Sequence, residues 1–511
     1  MANVKHRARL KGAFALLLTT GILAACNKDK ILNVTDPDII NPANVNSVEG
    51  AEALRIGALS RLSDMTAGLI PGGGSLGEGL FFFSGVVADE WRSTDTFVQR
   101  DEADSRAITE ANSAMTLEAR SVNRTRVAAI QAIPIIKQWK PNNVSDAGQM
   151  YWLRGYAELS LAENFCNGNP ISELDASNNI IYGDPETNVQ IYRRAIASFD
   201  TAVQNAPPVG AVNHDSRADT VIWMSAVEKA RVQLDLGDFA AAGTTINAAA
   251  VPDNFNFKIA YSQATSQDNQ IWALNNSAGR WMVANNEGPL GLNPAFANDP
   301  RVPICIGGTG TAAAPGQFGC KNFDANQTRA ISFDNNFGAG TFLVQLVFPT
   351  READVSVVTG AEARLIEAEV ALRSGDPATF MAKLNFLRAN FPTFKQPSNP
   401  CSAILPQVTG CPTVPAGGSL PALADPGTQT GREDLLFRER AFWLWATAHR
   451  LADLRRLVRP TAEGGFGRAE NTIFPNGPYY KGGNYGTDKF LRIPQAEQNN
   501  PQFHGCLDFN A

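Results

Sequence analysis

Three stretches of this chain combine side chains that could do chemistry. Leu23-Ala24-Ala25-Cys26 sets small residues before a thiol, so a peptidase can read the extended backbone and the sulfur can accept diacylglycerol. Asp89-Glu90-Trp91-Arg92-Ser93-Thr94-Asp95 follows a glycine-rich run, and Trp272-Ala273-Leu274-Asn275-Asn276 leads on to Arg280-Trp281. An aromatic ring packs against the axial C–H face of a pyranose, and carboxylate, amide and guanidinium groups then fix the hydroxyls. That is an apolar platform with a few placed polar groups. Trp91, Arg92, Asp95, Trp272, Asn275, Arg280 and Trp281 are therefore the candidate ligand-binding residues. A single tryptophan is more often core than platform. The pairing with Arg, Asn and Asp in non-helical stretches sets these apart from Trp139, Trp152, Trp223, Trp443 and Trp445, whose surroundings read as helix and core. Tyr479, Tyr480 and Tyr485, in a Gly/Asn-rich tail, form a lesser set.

Catalysis has little to draw on. The chain holds 4 histidines; one lies in the leader, and His214, His449 and His504 stand in unrelated contexts. No G-x-S-x-G or G-x-x-x-x-G-K-[ST] pattern occurs, and Gly72-Gly73-Gly74-Ser75 lacks the lysine and the strand–loop–helix setting. A glycosidase would need only two carboxylates about 5–9.5 Å apart, which 50 acidic residues could supply anywhere. The reading is a binder rather than an enzyme, with no cofactor and no metal.

The amino terminus is a secretory leader. Lys5, Arg7, Arg9 and Lys11 precede an apolar run to Ile22, shorter than the ~20 residues a membrane span takes. Residues 1–25 are thus a lipoprotein signal peptide, Cys26 the lipidated residue and residues 26–46 a tether, with Asp36-Pro37 and Asn41-Pro42 resisting helix. Removing the leader takes away four basic residues and no acid, leaving 40 Lys+Arg against 50 Asp+Glu. So acidic a chain is not built for nucleic acid. The six remaining cysteines, Cys166, Cys305, Cys320, Cys401, Cys411 and Cys506, read as disulfides of an oxidising compartment. No C-x-x-C or H-x-x-x-H spacing suggests zinc. Sequence leaves the pairing open; proximity favours Cys305–Cys320 and Cys401–Cys411, which leaves Cys166 for Cys506.

Helical periodicity dominates what must position these residues. It predicts helices over 48–65, 115–139, 146–166, 188–205, 217–236, 239–249, 360–373 and 378–390, with 71–83 a glycine-rich loop running into an aromatic segment. Residues 226–249 and 363–389 repeat one form: a helix with small residues, a Gly-Asp turn, and a second helix. That is the texture of tetratricopeptide-type hairpins, whose repeat is ~34 residues. The fold class is mainly α, a scaffold of tetratricopeptide-like helical hairpins with a long irregular insert and disulfide-closed loops. Residues 47–511 read as a single domain: helical repeats mainly at 115–250 and 360–459, a ligand-facing insert at 251–358 containing a strand-like piece at 341–348, and a tail at 460–511.

At the carboxyl end, residues 438–456 read RERAFWLWATAHRLADLRR and residues 490–501 read FLRIPQAEQNNP. With the lipobox and the hairpins, these resemble the SusD/RagB-like family of outer-membrane nutrient-binding lipoproteins. Glu439-Arg440, Arg450, Asp453-Leu454 and Arg456 match that family's late E-R…R-x-x-D-L-x-R pattern. Leu491, Ile493-Pro494, Glu497 and Asn500-Pro501 match its closing one, and Glu362 to Glu369 its E-x-x-L-I-x-A-E-A helix. The family usually has Glu-Gly where this chain has Thr447-Ala448, Pro where it has Arg492, and often acids after the lipid cysteine where it has Asn27-Lys28-Asp29-Lys30. Glu439, Arg450 and Asp453 read as structural charges on one amphipathic helix with Phe437, Ala441, Leu444, Ala448 and Leu451. The resemblance implies a lid over a TonB-dependent, SusC-like transporter, held to the outer membrane by lipid, facing outward, and taking a glycan or a peptide. A helical-repeat scaffold lipoprotein in the periplasm is the alternative.

Overall fold

Local capping chemistry starts most of the helices. The computed structural model describes residues 45–68, 77–94, 96–175, 177–262, 267–297, 299–308, 341–395 and 418–511. Helix α1 (Val48–Met65) begins where the Ser47 hydroxyl accepts from the Gly50 N–H at 2.9 Å. After a short α2 (Leu80–Val87), strand β1 (Trp91–Ser93) and α3 (Val98–Asp104), the repeat helices follow. These are α4 (Ser113–Trp139), α5 (Val144–Asn164), α6 (Asn188–Gln204), α7 (Ser216–Asp235) and α8 (Phe239–Ala249). The aromatic segment expected to follow the glycine-rich loop is helical from Leu80, and its aromatic run is wholly buried.

The predicted Gly-Asp turns do two jobs at once. Gly237 and Gly375 both take φ +76, left-handed backbone that favours glycine. Each following aspartate then caps the next helix, Asp238 accepting from the Ala241 N–H and Asp376 from the Thr379 N–H. Small residues let the helices close up. A Cβ on Gly155 of α5 would lie 2.7 Å from the Phe199 ring of α6.

Stacking runs continuously through this array. α4 packs on α1 and α5, α5 on α6, α6 on α7 and α7 on α8. Next to α8 lies α9 (Gly360–Arg373), paired with α10 (Pro377–Ala389), so the two hairpins seen in the sequence are neighbours across the insert. Its base is zipped by β2 (Asn256–Ile259) and β6 (Val355–Thr359), which pair antiparallel. Between them lie β3 (Trp281–Val283), β4 (Ile304–Gly308) and β5 (Thr341–Gln345); β4 and β5 form a second ladder, Ile304 opposite Gln345.

The late helix is two helices, not one. α11 (Gln429–Trp443) and α12 (His449–Val458) are separated by a bend in which Ala446 and Ala448 take φ +58 and +63. Arg440 and Asp453 would stand about 20 Å apart along a straight helix; the bend brings them into a 2.8 Å ion pair. The apolar face predicted for one helix is still buried, from Phe437 to Leu451. Around it the matched charges interlock. Glu439 accepts from Arg301 and Arg388, Arg456 pairs with Glu369 and Asp453, and Arg450 pairs with Asp89.

Cys166 and Cys506 form a disulfide, Cα atoms 5.7 Å apart across 340 residues. Beside it the tail hydrogen-bonds to the end of α5, Leu491 N to Asn164 O at 2.7 Å. Cys305 sits in β4; Cys26, Cys320, Cys401 and Cys411 lie outside the described residues. Among the described residues no helix is long and apolar enough to cross a membrane.

Candidate ligand-binding surface

The two tryptophan segments meet as a strand pair. β1 and β3 run antiparallel with Trp91 opposite Val283, Arg92 opposite Met282 and Ser93 opposite Trp281. The pairing extends through Thr94, whose N–H donates to the Arg280 carbonyl and whose hydroxyl donates to the Gly279 carbonyl. Residues nearly 190 positions apart in the chain thus share one small sheet.

Strand alternation then sends the tryptophans inward. Trp91 and Trp281 are both 0 % exposed. Trp91 is wedged between Phe82 and Trp445, ring centres 4.9 and 4.8 Å away. Trp281 stacks on Phe82 at 5.3 Å, meets Phe83 edge-on, and donates its indole N–H to Glu78 at 3.2 Å. Neither ring has a face to offer a sugar, which corrects the platform expected of them. Trp272 is also buried, on a π-helical turn (Trp272–Ser277) beneath the Arg351 guanidinium. Asn275 is spent on structure: its amide donates to the Trp281 and Leu343 carbonyls, and its oxygen accepts from Gln345 N–H. These four build the framework. Asp95 lies outside the described residues.

Arg92 and Arg280 remain at the surface. Arg280 sits over the Phe97 ring at 5.3 Å, and Phe97 is 46 % exposed. Arg92 pairs with Glu287 at 2.7 Å and lies 4.8 Å over the Tyr480 ring. The tail tyrosines close the group. Tyr480 donates to the Ser93 carbonyl at 2.7 Å, Tyr479 donates to Asp104 at 3.2 Å, and Tyr485 donates to Glu287. Lys481 pairs with Asp101 at 2.7 Å. Burial, then the negative charge of Glu287, pushes the Asp104 carboxyl well above its usual range.

A cavity of about 140 Å³ opens beside Phe97, between α3 and the start of α4. Phe83, Leu117 and Gln99 line it together with Glu118, one of whose buried carboxylate oxygens has no hydrogen-bond partner. Burial, then Glu78 and Asp64, pushes Glu118 well above the ordinary carboxylate range. The surface thus offers one exposed ring, Phe97, and one partly buried ring, Tyr480, under guanidinium groups and, alongside, a buried acid inclined to hold its proton and donate. Sequence reasoning missed Phe97, Glu118 and Glu287. For Phe97 a signal existed, a lone aromatic in the polar run Ser93-Thr94-Asp95-Thr96.

No family model matches the sequence, and no curated protein is similar to it. Solved structures are another matter. A SusD superfamily protein from Bacteroides vulgatus aligns with TM-score 0.57 at 13 % identity, covering 90 % of this chain and 99 % of its own. The fold is SusD-like. A laminarin-binding SusD-like protein aligns with TM-score 0.58 at 14 % identity over 91 % and 100 % of the two chains. Surface glycan-binding protein A from Bacteroides uniformis aligns with TM-score 0.54 at 14 % identity over 90 % and 99 %. The chain shares its fold with these SusD-like structures over nearly their full lengths.

Proposed function

We propose that this protein is a surface-exposed nutrient-binding lipoprotein, which captures an oligosaccharide or another large nutrient and delivers it to a TonB-dependent outer-membrane transporter. The observation that carries the reading is the SusD-like fold over about 90 % of the chain, shared with proteins named for laminarin and surface-glycan binding. The convergence of three sequence-distant segments on Arg92, Arg280, Phe97 and Tyr480 supports it. Ring faces beneath guanidinium groups suit a sugar, whose C–H face packs on the ring while its hydroxyls accept from the cation.

Residues 26–46 then serve as the tether from lipidated Cys26, and residues 47–511 as the binding unit. Binding and handover need no bond to be broken, so no catalytic role is assigned to the buried carboxylates. Proteinase treatment of intact cells tests the placement. A chain facing outward is digested while periplasmic markers survive; protection of the mature chain until the outer membrane is opened contradicts it and favours a periplasmic scaffold. Pull-down through the lipidated chain tests the handover, with a TonB-dependent transporter as the expected partner.

A further inference from the structure

A large cavity lies away from the Arg92–Arg280 surface. It is a cleft of about 670 Å³ between α1 and α4, closed on one side by the 170–182 segment and on another by the tail at 494–500. Its floor is apolar, with Leu54, Ala58, Val127 and Ile130. Over that floor stand Arg61 from α1 and Arg120 and Arg124 from α4, all exposed. Arg120 and Arg124 are one helical turn apart, about 6 Å along the axis. Thr125 bonds its hydroxyl to the Arg61 carbonyl at 3.0 Å, which brings Arg61 alongside them.

These arginines differ from the rest of the chain. Nearly every other described arginine is bound to a carboxylate, a carbonyl or an aromatic face. Among the described arginines, only the side chains of Arg61, Arg120, Arg124 and Arg193 have no hydrogen bond, ion pair or ring contact, and three of these four line this cleft. No nearby acid forms a contact ion pair with them. Glu173 is engaged by Arg126, Arg154 and Arg194. Asp64, half-buried, makes no contact ion pair with Arg61 or Arg124; burial raises its carboxyl, and the nearby charges of those two arginines only partly offset that rise, while burial also raises the Glu497 carboxyl. In a chain with an excess of acid, a cleft of unpaired guanidinium groups over an apolar floor is an unusual concentration of positive charge.

We infer that this cleft is a second ligand site, taking an anionic saccharide whose carboxylate or sulfate groups are held by Arg61, Arg120 and Arg124. The planar fork of guanidinium matches a carboxylate or sulfate edge with two parallel hydrogen bonds, and the apolar floor suits the C–H faces of the sugar rings. The saccharide part of this inference rests on the proposed glycan-capture function. The anionic part rests on the cleft alone.

Calorimetry on the detergent-solubilised mature chain tests it, with oligogalacturonate and a sulfated oligosaccharide set against a neutral oligosaccharide of equal length. Charged ligands are expected to bind, to weaken steeply with added salt, and to lose about tenfold in affinity with Arg120→Gln and again with Arg124→Gln. Both positions are exposed, and an unchanged Tm shows that folding is intact. Neutral-ligand binding at the Phe97–Arg280 surface is unaffected by either variant. Charged ligands that do not bind, or that bind these variants as tightly as the parent, overturn the second site and leave glycan capture standing. Failure of every saccharide, with binding only to vesicles containing anionic phospholipid or to free sulfate, overturns the saccharide assignment together with the capture reading.

Discussion

Arg450 on α12 grips Asp89, just before β1, through two parallel hydrogen bonds of 2.6 Å, joining residues 361 positions apart in the chain. Both side chains are almost wholly removed from water. This pair fastens the bend between α11 and α12 to the sheet that carries the candidate surface, so its role is structural though it sits close to the site. Removing one partner leaves a buried charge uncompensated. Asp89→Ala or Arg450→Met is expected to cost about 3–5 kcal/mol, read as a lowered midpoint in denaturant. A double variant less damaged than either single would confirm that the cost lies in the orphaned charge.

Ala448 is strained. At φ +63 a Cβ costs roughly 1–2 kcal/mol, a cost that glycine does not carry. Ala448→Gly is expected to stabilise the chain by about 1 kcal/mol after the added entropy of the unfolded state. A Tm that falls would show that burial of the alanine methyl outweighs the relief of strain.

Glu90 sets a pH dependence. Burial pushes its carboxyl up to about 8, the Ala446 N–H that bonds it pulls the other way, and the negative charge of Asp89 adds to the rise. A carboxyl raised above its unfolded value contributes stability that is complete below about 4.5 and is lost as pH rises through about 8. Glu90→Gln keeps an oxygen for the Ala446 N–H and removes the proton. The variant should therefore hold its Tm between pH 5 and pH 8, where the parent loses stability. Parallel pH profiles for the two would rule this out.

The disulfide anchors the last residues. Separating Cys166 and Cys506 by a double serine substitution is expected to cost about 2–5 kcal/mol, and limited proteolysis should then cut first near residues 490–511. An unchanged cleavage pattern would mean that Phe490, Leu491 and Ile493, all buried, suffice to dock the tail.

Much of the scaffold was legible because its signals are local. Apolar spacing and the Gly-Asp turns give α7, α8, α9 and α10 nearly to the residue, since the glycine and the capping aspartate act within one turn of chain. The bend at 444–448 was not legible. Its cause is the pairing of Arg440 with Asp453 and of Arg450 with Asp89, contacts that helical periodicity does not register. The site was half legible. Trp91 and Trp281 were found as aromatic residues beside polar ones, but their burial depends on β1 meeting β3 and on Phe82 and Trp445 closing over them. Alternation within three-residue strands is too short to reveal which face is inside. The same pairing leaves Arg92 and Arg280 outside, where two of the seven candidates remain as surface groups.

The most direct test of the central claim is a calorimetric or glycan-array screen of the mature chain, parent against Phe97→Ala and Arg280→Ala. The account predicts that the parent binds an oligosaccharide and that each variant loses about tenfold or more in affinity while keeping its Tm. Trp281→Ala, by contrast, should lose about 3–5 kcal/mol of stability. Affinity unchanged in both surface variants would contradict the placement of the site, and a parent that binds no saccharide at all would contradict the function.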